Sequence, residues 1–283
     1  MSRRAVVVAS IALALTACTI FTNLDGLSGG PASSEGGATA ADASSDGPSS
    51  PSPPSPPSPP SPPLADASPV DDCAADGLIA FWHMDEGAGA SVADCTAHHL
   101  DGVLSLGTAA WVTGKHGGAF SFDGQTCLDM GTSPAFGFTT AFTVAYWISP
   151  HSFPASGNAA YVIAKRTYGA ESGWRVGFRS AMPAVEVGIP GGKVELVASS
   201  GLVAGKWAHV AATFTPNHLS IYVGGVLAGA RADAPDAVID QAVGTHVGCS
   251  ADANPTVFAN ADIDDLRVYS RALSDAEIAA IAK

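Results

Sequence analysis

Between residues 206 and 225 the chain reads KWAHVAATFTPNHLSIYVGG. Apolar residues fall on every second position as Ala208, Val210, Ala212 and Phe214, then as Leu219, Ile221 and Val223 after a Thr215-Pro216-Asn217 break. Strict alternation buries one face of a β-strand, because successive side chains point to opposite sides. The spacing predicts an antiparallel hairpin about the Pro-Asn break. Gly224-Gly225 supplies a second tight turn, where positive φ costs little. A lone hairpin is marginal in water, so these strands require a sheet around them.

Similar short runs lie at 77–84, 102–106, 118–123, 126–130, 141–149, 160–165, 173–179, 184–189, 194–198, 245–249 and 261–269. Each is bounded by Gly, Pro, Asn or Asp, which punctuate strands. About a dozen short strands without a long helical period predict an all-β fold, a two-sheet antiparallel sandwich. In 261–269 the alternation breaks between Asp264 and Leu266, which predicts a bulge that re-aims the acidic pair there. One short C-terminal helix is expected, since Ser274-Asp275-Ala276-Glu277 forms a capping box ahead of Ile278 and Ile281.

The first 72 residues are a different polymer. Arg3 and Arg4 precede an apolar run at 5–15, too short to span a bilayer, so residues 1–17 are expected to be a signal peptide. Leu15-Thr16-Ala17-Cys18 resembles a bacterial lipobox, which implies lipid attachment at Cys18 and a protein held on a membrane surface. Thr19, where a retention signal would carry Asp, implies the outer membrane or cell surface. Residues 18–72 are rich in Gly, Ala, Ser, Asp and Pro, and end in tandem Ser-Pro-Pro units. Such a segment buries too little apolar surface to offset its ordering entropy, so a disordered tether is expected. The Ser-Pro-Pro run would add roughly 40 Å of extended polyproline spacer. A globular domain over 73–283 follows.

Formal net charge is −13, and residues 25–72 carry seven acids with no Lys or Arg. No basic stripe exists to neutralise a phosphate backbone, so nucleic acid is excluded as a partner. Membrane contact is expected only through the lipid.

The ordered motifs GLIAFWHMDEGAGASVAD (77–94), DGVL (101–104), GKHGGAFSFDG (114–124), FTVAYWI (142–148), KWAHVAATF (206–214), LSIYVGG (219–225) and IDDLRVYSRALSDAEI (263–278) resemble the laminin-G-like jelly roll of the concanavalin A-like lectin and glucanase superfamily. The resemblance implies a jelly-roll sandwich whose first and last strands pair. It also implies one structural calcium between the N-terminal region and the C-terminal strand, with Asp262 and Asp264 as ligands. One departure is Gly224, where the family hairpin carries Asp.

Candidate chemistry is sparse. Besides Cys18 there are four cysteines, Cys73, Cys95, Cys127 and Cys249, without the CxxC spacing of zinc or redox sites. In an exported chain two disulfides are expected. Of three connectivities, Cys73 with Cys95 would clamp the first loop, and Cys127 with Cys249 would join strands distant in sequence. Turn carboxylates including Asp85, Asp94, Asp123 and Asp265 add to Asp262 and Asp264 as candidate calcium oxygens. Scattered histidines without HxH or HExxH spacing argue against zinc. Glycoside hydrolysis needs two carboxylates sharing a face, whereas Glu186 and Glu195 stand on separate predicted strands, so no enzyme is expected.

Binding remains. The stretch 161–179 mixes aromatic and basic residues around a Gly-rich turn, making Tyr168, Trp174 and Arg175 candidate ligand contacts. The function expected is a cell-surface lipoprotein presenting a lectin-like carbohydrate-binding module. The alternative is a protein-interaction or adhesion scaffold on the same fold.

Overall fold

In the computed structural model, residues 72–283 are described, apart from Tyr168 and Asn254. The expected signal peptide, Cys18 and almost all of the tether lie outside the described residues. The strands are, in order, β1 Leu78–Trp82, β2 Ser91–Val92, β3 Gly102–Leu106, β4 Trp111–Thr113, β5 Gly118–Asp123, β6 Cys127–Asp129, β7 Phe142–Pro150 and β8 Ala159–Lys165. They continue as β9 Trp174–Arg179, β10 Met182–Ile189, β11 Gly192–Val197, β12 Ala208–Thr215, β13 His218–Val223, β14 Val226–Arg231, β15 His246–Val247 and β16 Asn260–Tyr269, followed by helix α1 Asp275–Ile281.

They form two antiparallel sheets. The first runs β14-β13-β12-β7-β16-β5-β4, with β1 also paired to β16; the second runs β11-β10-β9-β8-β15-β6-β3-β2. Strand β16 organises the first sheet. Its first half pairs with β5, opposing Asp262 to Ser121, and its second half pairs with β1, opposing Leu266 to Trp82. Between these halves the register against β7 shifts from Asp264 to Arg267, and Asp265 takes φ 50°. The predicted bulge therefore lets one strand edge serve two partners.

The core lies between the sheets. Trp82, Phe120, Phe122, Phe142, Tyr146, Trp174, Phe178 and Phe214 are almost wholly buried there. Each such aromatic contributes about 2–3 kcal/mol through the surface it removes from water. The alternation at 208–223 works as anticipated: Val210, Ala212 and Phe214 face the core beside Leu219 and Ile221. A second, smaller cluster covers the outer face of the first sheet, where Ile278 of α1 packs with Phe81, Ala145, Ala211 and Tyr222. Ser274 and Glu277 close the expected capping box.

Both disulfides are formed, Cys73–Cys95 with a sequence separation of 22 and Cys127–Cys249 with a separation of 122. Among the described residues no helix is long and apolar enough to cross a membrane.

Candidate functional site

The outer face of the second sheet is built by alternation. In β9, WRVGFR, the residues Trp174, Val176 and Phe178 enter the core, which leaves Arg175, Gly177 and Arg179 on the other face. In β10, Val185 and Val187 face inward and Glu186 outward. The register opposes Glu186 to Arg175 on one side and to Glu195 of β11 on the other. Two carboxylates on separate strands thus become cross-strand neighbours.

Glu186 is 2% exposed and carries four cations. Its carboxylate accepts from Arg175 Nε at 2.6 Å, Arg166 Nη1 at 3.2 Å, Arg179 Nη2 at 3.1 Å and Lys193 Nζ at 2.5 Å. Burial opposes its ionisation, but the Arg175 charge and the Lys193 hydrogen bond outweigh it and hold the carboxyl below its ordinary range. Glu195 accepts from Arg179 Nε at 2.6 Å and lies 3.4 Å from Lys193 Nζ. The pair is bridged by the cations Arg179 and Lys193.

The guanidinium of Arg175 lies 4.1 Å from the Tyr161 ring centroid, a cation–π contact. Burial, followed by the Glu186 charge, pushes the Tyr161 hydroxyl up to about 12. For Arg166, burial and then the neighbouring Arg175 charge lower the pKa. Arg175 Nη1 and Arg166 Nε are buried and have no hydrogen-bond partner among the described residues.

Over this face opens a cavity of about 940 Å³. Tyr161, Arg166, Arg175, Arg179 and Lys193 line it together with Asn158, Thr256 and Phe258. One rim is tied down where Arg179 Nη1 donates to the Gly157 carbonyl at 2.6 Å.

The candidates named from sequence fare differently. Arg175 lies in this site. Trp174 does not: its side chain is fully buried, its ring packs near Phe138 and Phe142, and its indole N–H donates to the Phe136 carbonyl at 3.0 Å. It is a core residue, because neighbours along a strand cannot share a face. Tyr168 lies outside the described residues. The roles of Arg179, Glu186, Lys193 and Glu195 were missed. A hairpin drawn around Pro190–Gly191 would have placed Glu186 opposite Glu195.

The aspartates expected to bind calcium have protein partners. Asp262 Oδ1 is engaged by His151 at 2.8 Å, and Asp123 Oδ1 accepts from the Gln125 amide and the Thr126 hydroxyl. Asp264 Oδ2 accepts from the His116 amide at 2.8 Å. Asp94 closes its own loop, accepting from the amides of Phe81, Thr96 and Leu100. Among the described residues the one convergent trio of metal-ligand types is Cys73, His83 and Cys95, whose sulfurs are joined in a disulfide.

A second cavity, of about 550 Å³, opens on the outer face of the first sheet. There Asp265 bridges His83 at 3.3 Å and His116 at 2.9 Å. Its hydrogen bond raises the His83 pKa. Its lining mixes charges of both signs, Asp72, Asp85 and Asp265 with Arg267 and Lys283.

The domain is a two-sheet jelly roll with a polar cavity on one outer face. The sequence matches the laminin G 3 family of the concanavalin A-like lectin/glucanases superfamily over residues 122–279, more than half of the chain. The chain belongs to that family. No curated protein matches it. Among solved structures it is similar to the binding domain of Paraclostridial mosquitocidal protein 1, at TM-score 0.60 and 13% identity, covering 73% of this chain and 52% of that one. It is also similar to domain 4 of AbnA, an extracellular arabinanase from Geobacillus stearothermophilus, solved with arabinotriose, at TM-score 0.59 and 18% identity, covering 73% and 98%. A third is the binding domain of botulinum neurotoxin DC in complex with rat synaptotagmin II, at TM-score 0.57 and 13% identity, covering 73% and 51%. The chain therefore spans about half the length of the first and third of these and nearly all of the second.

Proposed function

We propose that the protein is a lipid-anchored cell-surface lipoprotein whose jelly-roll domain binds carbohydrate on the outer face of β8 to β11. The observation that carries this reading is the open cavity over Tyr161, Arg175, Arg179 and Lys193, whose three cations are held in place by ion pairs to the buried Glu186. A preorganised concave site with few, fixed polar groups is what small-ligand recognition requires. The arabinotriose complex of the similar arabinanase domain supports a sugar as ligand. The two disulfides suit an exported chain.

The test is a glycan array probed with the full chain and with Arg179→Ala, whose side chain is 28% exposed. The expected result is binding to a defined saccharide set, weakened at least about tenfold in the variant, the scale of one interface hot spot. Silence on the array, or binding indifferent to Arg179, overturns the reading.

A protein partner is the second reading. Edge strand β14 exposes Val226 at 69% and Leu227 at 51%, and the neurotoxin domain similar to this one was solved with synaptotagmin II. Apolar residues on an open edge strand favour protein contact. Retrieval of one surface protein, lost in Leu227→Lys, would support this reading over the first.

A further inference from the structure

We infer that the ligand of the second sheet's outer face is an acidic saccharide, one whose sugar carries a carboxylate. The inference rests on the carbohydrate reading and adds the ligand's charge to it.

The charge pattern is the first argument. The chain has 13 Lys and Arg against 26 Asp and Glu, yet four of those cations, Arg166, Arg175, Arg179 and Lys193, line one cavity whose lining includes no carboxylate. Glu186 sits beneath them at 2% exposure, and Glu195 pairs at the side. Four cations against two carboxylates leave a formal excess of two positive charges, in a chain of net charge −13. Low-dielectric walls focus such a local excess onto whatever enters the cavity.

Unused donors are the second argument. A guanidinium offers five N–H groups in a fixed fork that matches a carboxylate. Arg175 meets Glu186 through Nε and Nη2, but its Nη1 has no hydrogen-bond partner among the described residues. Arg175 is 3% exposed and Arg166 2% exposed, so both are desolvated cations sharing one buried carboxylate. A second anion would relieve that imbalance.

The third argument is how little aromatic surface the cavity offers. A neutral sugar is usually gripped by stacking on a flat aromatic ring, but the rings lining this cavity are Tyr161, 6% exposed beneath the Arg175 guanidinium, and Phe258, only half-buried. No tryptophan lines the cavity among the described residues, since Trp174 faces the core. Recognition here falls to charge-assisted hydrogen bonds.

The test compares matched probes by calorimetric titration of the full chain: sialyllactose against lactose, and trigalacturonate against its methyl ester. The acidic member of at least one pair is expected to bind tenfold or more tightly than its neutral partner. That binding should weaken as salt rises from about 50 to 500 mM, fall at least tenfold in Lys193→Ala, and return in Lys193→Arg. Circular dichroism of each variant verifies the fold. Neutral partners binding as well as the acidic ones would overturn the acidic preference while leaving the carbohydrate reading intact. Absence of binding to any saccharide, with polyglutamate bound instead, would overturn both.

Discussion

Glu186 is the residue on which the candidate site turns, because its carboxylate is the counter-charge for Arg166, Arg175, Arg179 and Lys193. Glu186→Gln leaves those cations buried or crowded without their anion, and is expected to cost about 3–5 kcal/mol in urea unfolding at pH 7. Its carboxyl pKa in the fold lies below the ordinary 4.5. The stabilisation is therefore present above about 4.5 and lost progressively as pH falls toward the depressed value, so the gap between wild type and variant should narrow below pH 4.5. A constant gap between them from pH 7 to pH 3 would contradict this. Asp264 has the opposite sign. Burial raises its pKa from 3.8 to about 6, and its Oδ1 is buried without a hydrogen-bond partner among the described residues. A raised acid favours folding when protonated, so its contribution is fully present below 3.8 and lost as pH rises through about 6. Asp264→Asn is expected to unfold at higher temperature than wild type at pH 8, with a gain on the order of 1–3 kcal/mol that disappears by pH 4. Equal or lower stability of the variant at pH 8 would refute that. At this scale the sequence was a partial guide. It marked Arg175 by the local mix of aromatic and basic residues but grouped it with Trp174, although adjacent strand residues point apart. Among the turn aspartates, Asp94 and Asp123 find partners within their own loops, whereas Asp262 and Asp264 meet His151 and His116, distant in sequence.

Among the elements, the hairpins and the closing strand were legible because their period is long enough to count. Strand β13 is joined to β14 by Gly224 and Gly225, with φ 59° and 78°. A Cβ on Gly224 meets nothing within 4 Å, whereas one on Gly225 meets Ala279 Cα and Ala282 Cβ at 3.1 Å. Gly224→Asn, which restores a polar turn residue, is expected to change stability by less than about 0.5 kcal/mol. Gly225→Ala combines a strained φ with a clash against α1 and is expected to cost about 1–3 kcal/mol by thermal unfolding. Equal effects of the two substitutions would show that α1 does not pack there. The short strands were not legible: β2 has two residues and β4 three, too few for any period, and β14 alternates only small or exposed side chains. The disulfides belong to this scale too. Closing a loop of separation 122 restricts the unfolded chain more than one of separation 22. Replacing Cys127 and Cys249 by Ser is expected to cost about 1.5 kcal/mol more than replacing Cys73 and Cys95. Denaturant midpoints of the two double variants decide it, and the reverse order would contradict the entropic account.

For the whole molecule, fold class was readable from punctuation and alternation alone, and the family motifs gave the pairing of the first and last strands, β1 with β16. The site was less readable because it depends on register: four strands must align before Glu186, Glu195 and their cations share a face. The proposed anchor is a separate claim, carried by Cys18 and the apolar run before it. Cys18→Ser is expected to move the protein from the detergent phase to the aqueous phase after phase partitioning. A wild-type chain found in the aqueous phase would contradict lipid attachment.

The claim that the outer face of β8 to β11 is where ligand binds is tested most directly by a crystal structure of the chain with a bound acidic oligosaccharide. The account predicts ordered sugar over Tyr161, Arg175, Arg179 and Lys193, with its carboxylate against the guanidinium groups. Sugar ordered elsewhere, for example in the cavity beside His83 and His116, with this face empty, would contradict it.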